Sequence, residues 1–378
     1  MPDYPKHFGD RAGMMGFHSA IMFLDAYRKG VRNFDLNTAM EGMLKSAEQA
    51  TMLPSRNGPK GALEDFYHEK GYYPALREGE PETDPVAMGR SGRQRRGSTV
   101  SIALLHSYDA WALSEFAKEL GNSEIAERFA PKAKNYRNAW NPEKQFFLPM
   151  DAQGNWIDVD PKFTNGAYYN ENNGYSYLFF VQHDVEGLIE LMGGIDGMEK
   201  RLDQYFTERL ERSKIQFWEE FGAMTGLIGQ FAMGNQITFS YPYLYNYTNA
   251  PWKTQKMTRL LLDTWFKDDY IYGQPGDEDA GSMASWVVFS AMGFYPLKPG
   301  IPLYSITSPV FSRVTIDLPN GKKFTMIADN CSRTNKYIQS AKMNGTRLET
   351  PWFSHEDLIN GGTLELEMGE KPGKIWMK

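Results

Sequence analysis

Cysteine and long apolar runs are almost absent from this sequence. Cys331 is the single cysteine among 378 residues, which excludes an internal disulfide and a cysteine-based zinc site. No apolar run approaches the length of a transmembrane helix. The opening residues, MPDYPKHFGDR, lack the charged and then apolar layout of a signal peptide. The sequence itself therefore predicts no membrane span and displays no targeting signal.

Basic charge and nucleotide-binding motifs are scarce as well. The chain has 41 lysines and arginines against 47 aspartates and glutamates, for a net charge of −6, which argues against a nucleic-acid-binding surface. The one basic cluster, GRSGRQRRGS at 89–98, follows the acidic stretch REGEPETDP, so we expect an exposed loop with compensating charges. There is no GxGxxG after a strand, no Walker loop, no HExxH motif and no serine nucleophile elbow. The common nucleotide-dependent and zinc-hydrolase classes are therefore not supported.

Aromatic residues are what the sequence has in abundance, at 14% of the chain. Together with 41% hydrophobic residues, they predict a folded chain with a large core. Sugars stack their C–H faces on aromatic rings, so a carbohydrate site is a second use for these residues. The core alone is enough to account for them.

The hydrophobic pattern changes near residue 297. Before it, amphipathic segments predict helices at 18–30, 36–50, 98–121, 124–140, 184–194, 252–266 and 282–294, with a further helix within EKRLDQYFTERLE. After Pro296 the residues alternate as in strands, with Pro319-Asn320-Gly321 as a hairpin turn. We therefore predict a mainly α fold, a toroid of helical hairpins at 1–298, followed by a small β-rich region at 299–378.

One candidate site is the loop FTNGAYYNENNGYSYLFF, in which Glu171 lies among asparagines and tyrosines. A carboxyl group in such surroundings could act as a general acid. On spacing alone, a polar turn with a solvated glutamate is the favoured interpretation.

A second candidate is the loop around Gly234. Asn235 and Gln236 follow that glycine, and their amide oxygens are hard ligands that suit Ca²⁺ better than Zn²⁺. Glu219 and Glu220 lie just upstream. The alternative is a helix cap followed by an aromatic core segment.

The third candidate is GDEDAGSMASW, where Asp277, Glu278 and Asp279 are consecutive. Two aspartates at i and i+2 in a glycine-bounded loop can present both carboxylates to one water molecule. Acidic residues also cap a following helix, here the predicted helix 282–294, because the helix dipole favours negative charge at that end. The two interpretations are compatible.

Longer motifs resemble glycoside hydrolase family 92, the calcium-dependent exo-acting α-mannosidases. The matching text is GDEDAGSMASWVVFSAMGFYPLKPG, FFVQHDVEGLIELMGG, PYLYNYTNAPWKTQ and KYIQSAKMNGTRLETPWFSHEDLINGGTLELEMG, so the resemblance extends over nearly the whole chain. It implies a barrel of six helical hairpins preceded by an N-terminal β-sandwich. The sequence shows no such sandwich, so we expect the chain to begin inside the barrel, with an incomplete toroid and the sandwich as a partner domain.

The resemblance also assigns roles to residues. It implies that Glu171, twelve residues before His183, is the general acid. It makes Asp279 the general base, with Asp277 as its partner. It further implies that Ca²⁺ contacts the 2- and 3-hydroxyls of a terminal mannose, and that hydrolysis inverts the anomeric centre.

Two departures from the family pattern affect the expected specificity. The family's usual GNEPSHH reads GNQITFS here, so Gln236 replaces a glutamate among the metal ligands. The His-Glu pair of the α-1,2 enzymes has its nearest match in Trp218-Glu219, which disfavours strict α-1,2 specificity and leaves α-1,3, α-1,4, α-1,6 and mannosyl-phosphate linkages open. The expected substrates are N-glycans or mannans, and the expected compartment is periplasmic or extracellular. The competing hypothesis is a truncated, non-catalytic fragment that binds mannose or needs its missing β-sandwich domain.

Overall fold

The computed structural model describes residues 5–6, 9–10, 16–53, 58–84, 98–163, 168–222, 224–269, 273–276, 278–279 and 281–377. The chain divides into two compact units. One comprises Met1–Val185 and Glu219–Phe221, and the other comprises Glu186–Trp218 and Gly222–Lys378. The division at 298 that the change of pattern suggests stays a prediction.

The first unit is mainly helical. Its helices are α1 (Ser19–Arg28), α2 (Leu36–Glu48), α3 (Ala62–Lys70), α4 (Thr99–Glu119), α5 (Ser123–Phe129) and α6 (Gly174–Tyr177), with 3₁₀ helices at Lys132–Ala139 and Gln182–Asp184. Two short antiparallel pairs accompany them, β1 (Pro5–Lys6) with β2 (Gly9–Asp10) and β3 (Trp140–Asn141) with β4 (Phe146–Phe147).

Helix α4 is the centre of this unit. Most of its 21 residues are buried, because it packs against α1, α2, α5 and the 3₁₀ helix after α5. A helix covered on all sides needs no polar face, which explains its weak amphipathicity. Within the described ranges, no helix combines the length and the apolarity needed to cross a membrane.

The single helix predicted at 124–140 is wrong. The α-helix ends at Phe129, and a 3₁₀ helix starts at Lys132. Pro131 lies between them. Proline lacks the N–H that would continue the ladder, and its ring clashes with the carbonyl four residues earlier.

A buried histidine makes the stability of the first unit sensitive to acid. His106 of α4 packs its ring 5.6 Å from that of Phe17 and 6.1 Å from that of Tyr67, measured between centroids. Burial lowers the pKa of His106 to about 4; the charges of Asp109 and Glu64 oppose this shift, and those of His18 and His68 add to it. At pH values between the ordinary histidine pKa and this lowered value, the imidazole is protonated in the unfolded chain but neutral in the folded chain. Lowering the pH in this range therefore favours the unfolded state.

We therefore expect the free energy of unfolding to fall as the pH drops from about 6.5 to about 4, and His106 to account for about 3 kcal/mol of that fall. In a His106→Leu variant, the difference in unfolding free energy between pH 7 and pH 4, measured by urea titration, should shrink by this amount. An unchanged difference would contradict the assignment, whatever the variant's stability at pH 7.

The second unit contains further helices and the C-terminal strands. Its helices are α7 (Val185–Leu191), α8 (Ile195–Thr207), α9 (Lys214–Glu220), α10 (Trp252–Trp265), α11 (Ser282–Met292) and α12 (His355–Ile359), with 3₁₀ helices at Gln236–Thr238 and Tyr241–Tyr247. Of these, α7 and α9 have terminal residues that belong to the first unit. The strands are β5 (Leu227–Ile228), β6 (Phe231–Ala232), β7 (Phe294–Tyr295), β8 (Leu303–Ile306), β9 (Arg313–Asp317), β10 (Lys323–Asp329), β11 (Tyr337–Met343), β12 (Thr346–Arg347), β13 (Trp352–Ser354) and β14 (Thr363–Gly369).

The predicted C-terminal β region is confirmed. Five strands form a sheet in the order β12-β11-β14-β10-β9, and three form a sheet in the order β13-β8-β7. Only the β10–β14 pairing in the larger sheet is parallel. Buried and more exposed residues alternate along β10 and β14, as a sheet with one covered face requires. The predicted turn at Pro319-Asn320-Gly321 joins the antiparallel strands β9 and β10.

The last predicted helix is two residues too long. It ends at Met292, because Gly293 adopts a φ of +96° and Phe294 begins β7. Helices followed by a C-terminal β region are thus confirmed, whereas the toroid of hairpins stays a prediction.

Candidate active site

Glu171 lies at the apex of a strained turn in the first unit. Its φ is +58°, and the N–H of Asn172 donates to the carbonyl oxygen of Asn170 at 2.7 Å. A three-residue turn with positive φ at its centre is the rare, strained form of the γ-turn. The side chain at the apex is exposed. The polar turn that the sequence indicated is therefore confirmed, and its catalytic role stays a prediction.

The two asparagines after Glu171 differ in the hydrogen bonds of their side chains. Asn173 caps α6, since its Oδ1 accepts from the N–H of Ser176 at 3.0 Å, and its Nδ2 donates to the carbonyl of Lys162 at 2.9 Å. Asn172 is fully buried, and both polar atoms of its amide lack a hydrogen-bond partner among the described residues. A buried amide without partners is costly and is often found beside functional sites.

The second loop follows the β5–β6 hairpin. The N–H of Gly234 closes this hairpin on the carbonyl of Thr225 at 3.0 Å. Asn235 is buried, and its Oδ1 accepts a long hydrogen bond of 3.4 Å from Ile237 as the cap of a 3₁₀ helix. The Oε1 atom of Gln236 is buried and has no hydrogen-bond partner among the described residues. Capping, one of the two interpretations of this loop, is thus confirmed for Asn235.

In the third loop the acidic residues have different positions. Glu278 caps α11, because its Oε1 accepts from the N–H of Ala284 at 3.1 Å and its Oε2 accepts from Gln274 at 3.2 Å. Asp279 is exposed, with a φ of +47°. Asp277 lies outside the described residues. The sequence indicated that an acid of this cluster caps the helix, and in the structure that residue is Glu278.

The second and third loops meet at two glycines of the second unit. A Cβ added to Gly276 would lie 2.5 Å from the Cα of Gly234, and one added to Gly234 would lie 3.2 Å from the Cα of Gly276. Backbones can approach this closely only where neither residue has a side chain. The segment that carries Asp279 is thereby packed against the segment that carries Asn235 and Gln236.

Open space borders the third loop. A groove of about 640 Å³ is lined by Phe266, Gly273, Gln274, Gly276, Ala284, Val287 and Val288. A volume of this size is typical of small-ligand sites. Because Gly276 belongs both to this lining and to the contact with Gly234, the groove reaches the loop that ends at Asp279.

Trp218 and Glu219, the predicted contacts to the sugar, lie near the end of α9. The indole Nε1 of Trp218 donates to the carbonyl of Met224 at 2.8 Å, and the residue is 39% exposed. Glu219 is exposed as well. Both are accessible to a ligand, and their roles stay predictions. Because Glu171 and Asp279 belong to different units, the separation of their carboxyl groups also stays a prediction.

The residues predicted to bind Ca²⁺ fit a hard cation. In the described part of the chain, no group of three or more His, Cys, Asp or Glu side chains is arranged to hold a metal ion. The predicted ligands are neutral amides instead. The buried Oε1 of Gln236, which has no hydrogen-bond partner in the described part of the chain, is an oxygen acceptor of the type that Ca²⁺ selects.

The chain belongs to glycosyl hydrolase family 92, because the model of that family's catalytic domain matches residues 1–370. It is 34% identical to an inverting mannosidase of family GH92 from Bacteroides thetaiotaomicron, whose structure superimposes with a TM-score of 0.84 over 100% of this chain and 49% of that one. A family GH92 α-mannosidase from the same organism, in complex with mannoimidazole, is 28% identical, with a TM-score of 0.82 over 97% of this chain and 45% of that one.

A third relative is an uncharacterized secreted glycosidase of Arthroderma benhamiae. It is 28% identical over 94% of this chain and 45% of its own length. The chain thus spans about half the length of the relatives it matches.

Proposed function

We propose that this chain carries the catalytic loops of an exo-acting, inverting α-mannosidase that releases terminal α-linked mannose from N-glycans or mannans with the help of Ca²⁺. The observation that carries the proposal is that the family's catalytic-domain model matches residues 1–370, and that Glu171 and Asp279, the two acids that the resemblance names, are both exposed and both adopt positive φ. Backbone strain of this kind concentrates at active sites. Support also comes from the similarity to solved structures named as an inverting mannosidase and an α-mannosidase.

The two acids would divide the reaction between them. Glu171 gives a proton to the glycosidic oxygen as the bond from that oxygen to C1 breaks. Asp279 takes a proton from the water that attacks C1 from the opposite face, and Asp277 orients this water. The released sugar is β-mannose. Such a pair needs carboxyl groups roughly 6.5–9.5 Å apart, so that a water molecule fits between the base and the sugar.

Asn235 and Gln236 would hold Ca²⁺ through their amide oxygens. With Ca²⁺ bound there, the site would supply Lewis-acid contacts to the hydroxyls of mannose and so favour the ring shape of the oxocarbenium-like transition state. Axial O2 distinguishes mannose, so the same residues would contribute to sugar selectivity. The neutral Gln236 brings less negative charge to the site than a glutamate would.

A Gln236→Glu variant is therefore expected to bind Ca²⁺ about tenfold more tightly, since a carboxylate strengthens a hard-cation site. Isothermal titration of the chelator-treated protein with CaCl₂ measures the change directly and requires no activity. Gln216→Glu is the matched control, because it adds the same charge at an exposed position of α9. Equal affinity of wild type and Gln236→Glu would show that Gln236 is not a ligand.

Trp218 and Glu219 would contact the sugar next to the terminal mannose. Because a tryptophan stands where the resemblance expects histidine, we propose a linkage preference other than strict α-1,2. We also propose a periplasmic or secreted location, in line with the relative that is named a secreted glycosidase, and a β-sandwich domain as the structural partner of this chain.

The function is tested by following the hydrolysis of α-linked mannobioses in real time by ¹H NMR, with the protein in its full natural length. The first mannose to appear should be the β-anomer. Early α-mannose would refute inversion, and no release from any linkage would refute the mannosidase. Comparing the 378-residue chain alone with the chain plus a β-sandwich domain added in trans tests the alternative, a fragment that is inactive without that domain.

A further inference from the structure

We propose that Ser101 and Tyr177 are positioning residues that clamp the strained Glu171 turn from two sides and so aim its carboxyl group at the leaving oxygen. The inference rests on the proposed function, because it concerns how the general acid is held. Neither residue touches the reacting atoms in this account. Both act through the backbone of Asn170.

Ser101 holds the turn to the first turn of α4. Its fully buried hydroxyl oxygen accepts from the N–H of Asn170 at 3.0 Å. Ser98, the N-cap residue of α4, makes no capping hydrogen bond with its side chain among the described residues. Instead, the carbonyl of Tyr168 accepts from the N–H groups of Val100 at 3.0 Å and Ser101 at 3.4 Å. The segment before Glu171 therefore replaces the usual cap of the central helix, which couples its position to the most buried element of the unit.

Tyr177 holds the other backbone polar group of Asn170, its carbonyl. Its hydroxyl donates to the carbonyl of Asn170 at 3.0 Å, so this carbonyl accepts two hydrogen bonds, from Tyr177 and from the N–H of Asn172. Tyr177 is nearly fully buried. Burial raises its pKa well above the usual range, a hydrogen bond with the Ser101 hydroxyl lowers it in part, and the negative charge of Glu171 raises it. The hydroxyl of Tyr177 therefore stays a donor, and the carboxylate lies close enough to affect it.

The clamp explains how the strained turn persists. A strained γ-turn is stable only where its surroundings hold it in place. If one of the two hydrogen bonds is lost, the peptide before Glu171 can rotate and the carboxyl group moves with it. A displacement of about 1 Å at a catalytic group can cost about a hundredfold in rate.

Two substrates with different leaving groups distinguish a misplaced general acid from a general loss of protein stability. In a mannobiose the leaving group is the second mannose, a poor leaving group as an alkoxide that needs the proton from Glu171, whereas 2,4-dinitrophenolate leaves without one. In Ser101→Ala and Tyr177→Phe we expect kcat on mannobiose to fall about 10- to 100-fold. On 2,4-dinitrophenyl α-mannoside we expect a change of less than about threefold. Ser101→Thr, which keeps the hydroxyl, should restore most of the loss.

Two controls match these variants in the same unit. Ser107→Ala removes a buried hydroxyl of α4 that donates to the carbonyl of Ala103 in its own helix. Tyr169→Phe removes a buried hydroxyl that donates to the carbonyl of Phe147 at 2.7 Å. Both should leave the ratio of the two kcat values unchanged, even where thermal stability falls. The clamp is refuted if Ser101→Ala and Tyr177→Phe leave this ratio unchanged as well.

Glu171→Gln, assayed on the same two substrates, distinguishes failure of the clamp from failure of the proposed function. If this variant retains its rate on mannobiose, the acid is elsewhere and the proposed function fails. If it loses the mannobiose rate while Ser101→Ala and Tyr177→Phe behave like their controls, the acid is correct and the clamp fails.

Discussion

Replacing Glu171 with glutamine is expected to lower kcat for the hydrolysis of α-linked mannobiose about a thousandfold, within the range that general acid catalysis contributes. The amide has nearly the shape of the carboxyl group but cannot give a proton to the leaving oxygen. The measurement is the initial rate of mannose release at saturating substrate, with the protein in its full natural length. KM should change little, because the lost interaction develops only in the transition state.

A matched control separates this loss from an effect on the backbone. Glu211 is also exposed and also has positive φ, at +61°, but it lies outside the proposed site. Glu211→Gln should retain the wild-type rate. A Glu171→Gln variant with more than about a tenth of the wild-type kcat on mannobiose would remove Glu171 from the mechanism.

Asp279→Asn is expected to reduce the hydrolysis of the same substrate by about a thousandfold or more, because the attacking water loses its base. Added azide should restore turnover, since an anion that is already a nucleophile needs no base. Azide forms the new bond to C1 as the glycosidic bond breaks, and Glu171 protonates the departing oxygen. The expected product is β-mannosyl azide, identified by NMR.

Asp268→Asn serves as the control for this second variant, because Asp268 is exposed in the same unit and has no proposed role. It should hydrolyse mannobiose at the wild-type rate and form no mannosyl azide. If Asp279→Asn forms the azide with α configuration, single displacement is excluded. If it keeps its hydrolytic rate, the base is another residue.

The order of elements was largely predictable from the sequence, because local patterns determine it. Apolar spacing predicted α1, α2, α4 and α10 to within two residues at each end, and alternation predicted the C-terminal strands. The error at 124–140 also had a visible signal, since Pro131 interrupts the segment. If the effect of Pro131 on helix continuity had been given more weight, two shorter helices would have been predicted there.

The geometry of the site was much less predictable. Ser101 and Asn170 are 69 residues apart in sequence, and Gly234 and Gly276 lie on opposite sides of α10 in the sequence. Contacts of this kind depend on packing across the unit and leave no periodic pattern. Composition could not show which acid of the cluster caps α11, because that choice follows from the backbone of the loop, in which Asp279 itself has positive φ.

The central claim is that Glu171 and Asp279 face each other across the terminal mannose. The most direct measurement is the distance between their carboxyl groups in a crystal structure of the full-length enzyme bound to Ca²⁺ and a non-hydrolysable mannoside. The account predicts roughly 6.5–9.5 Å, with the sugar between the two groups. A separation of about 5–5.5 Å, which is the geometry of a retaining enzyme, or the two side chains lining different cavities, would contradict it.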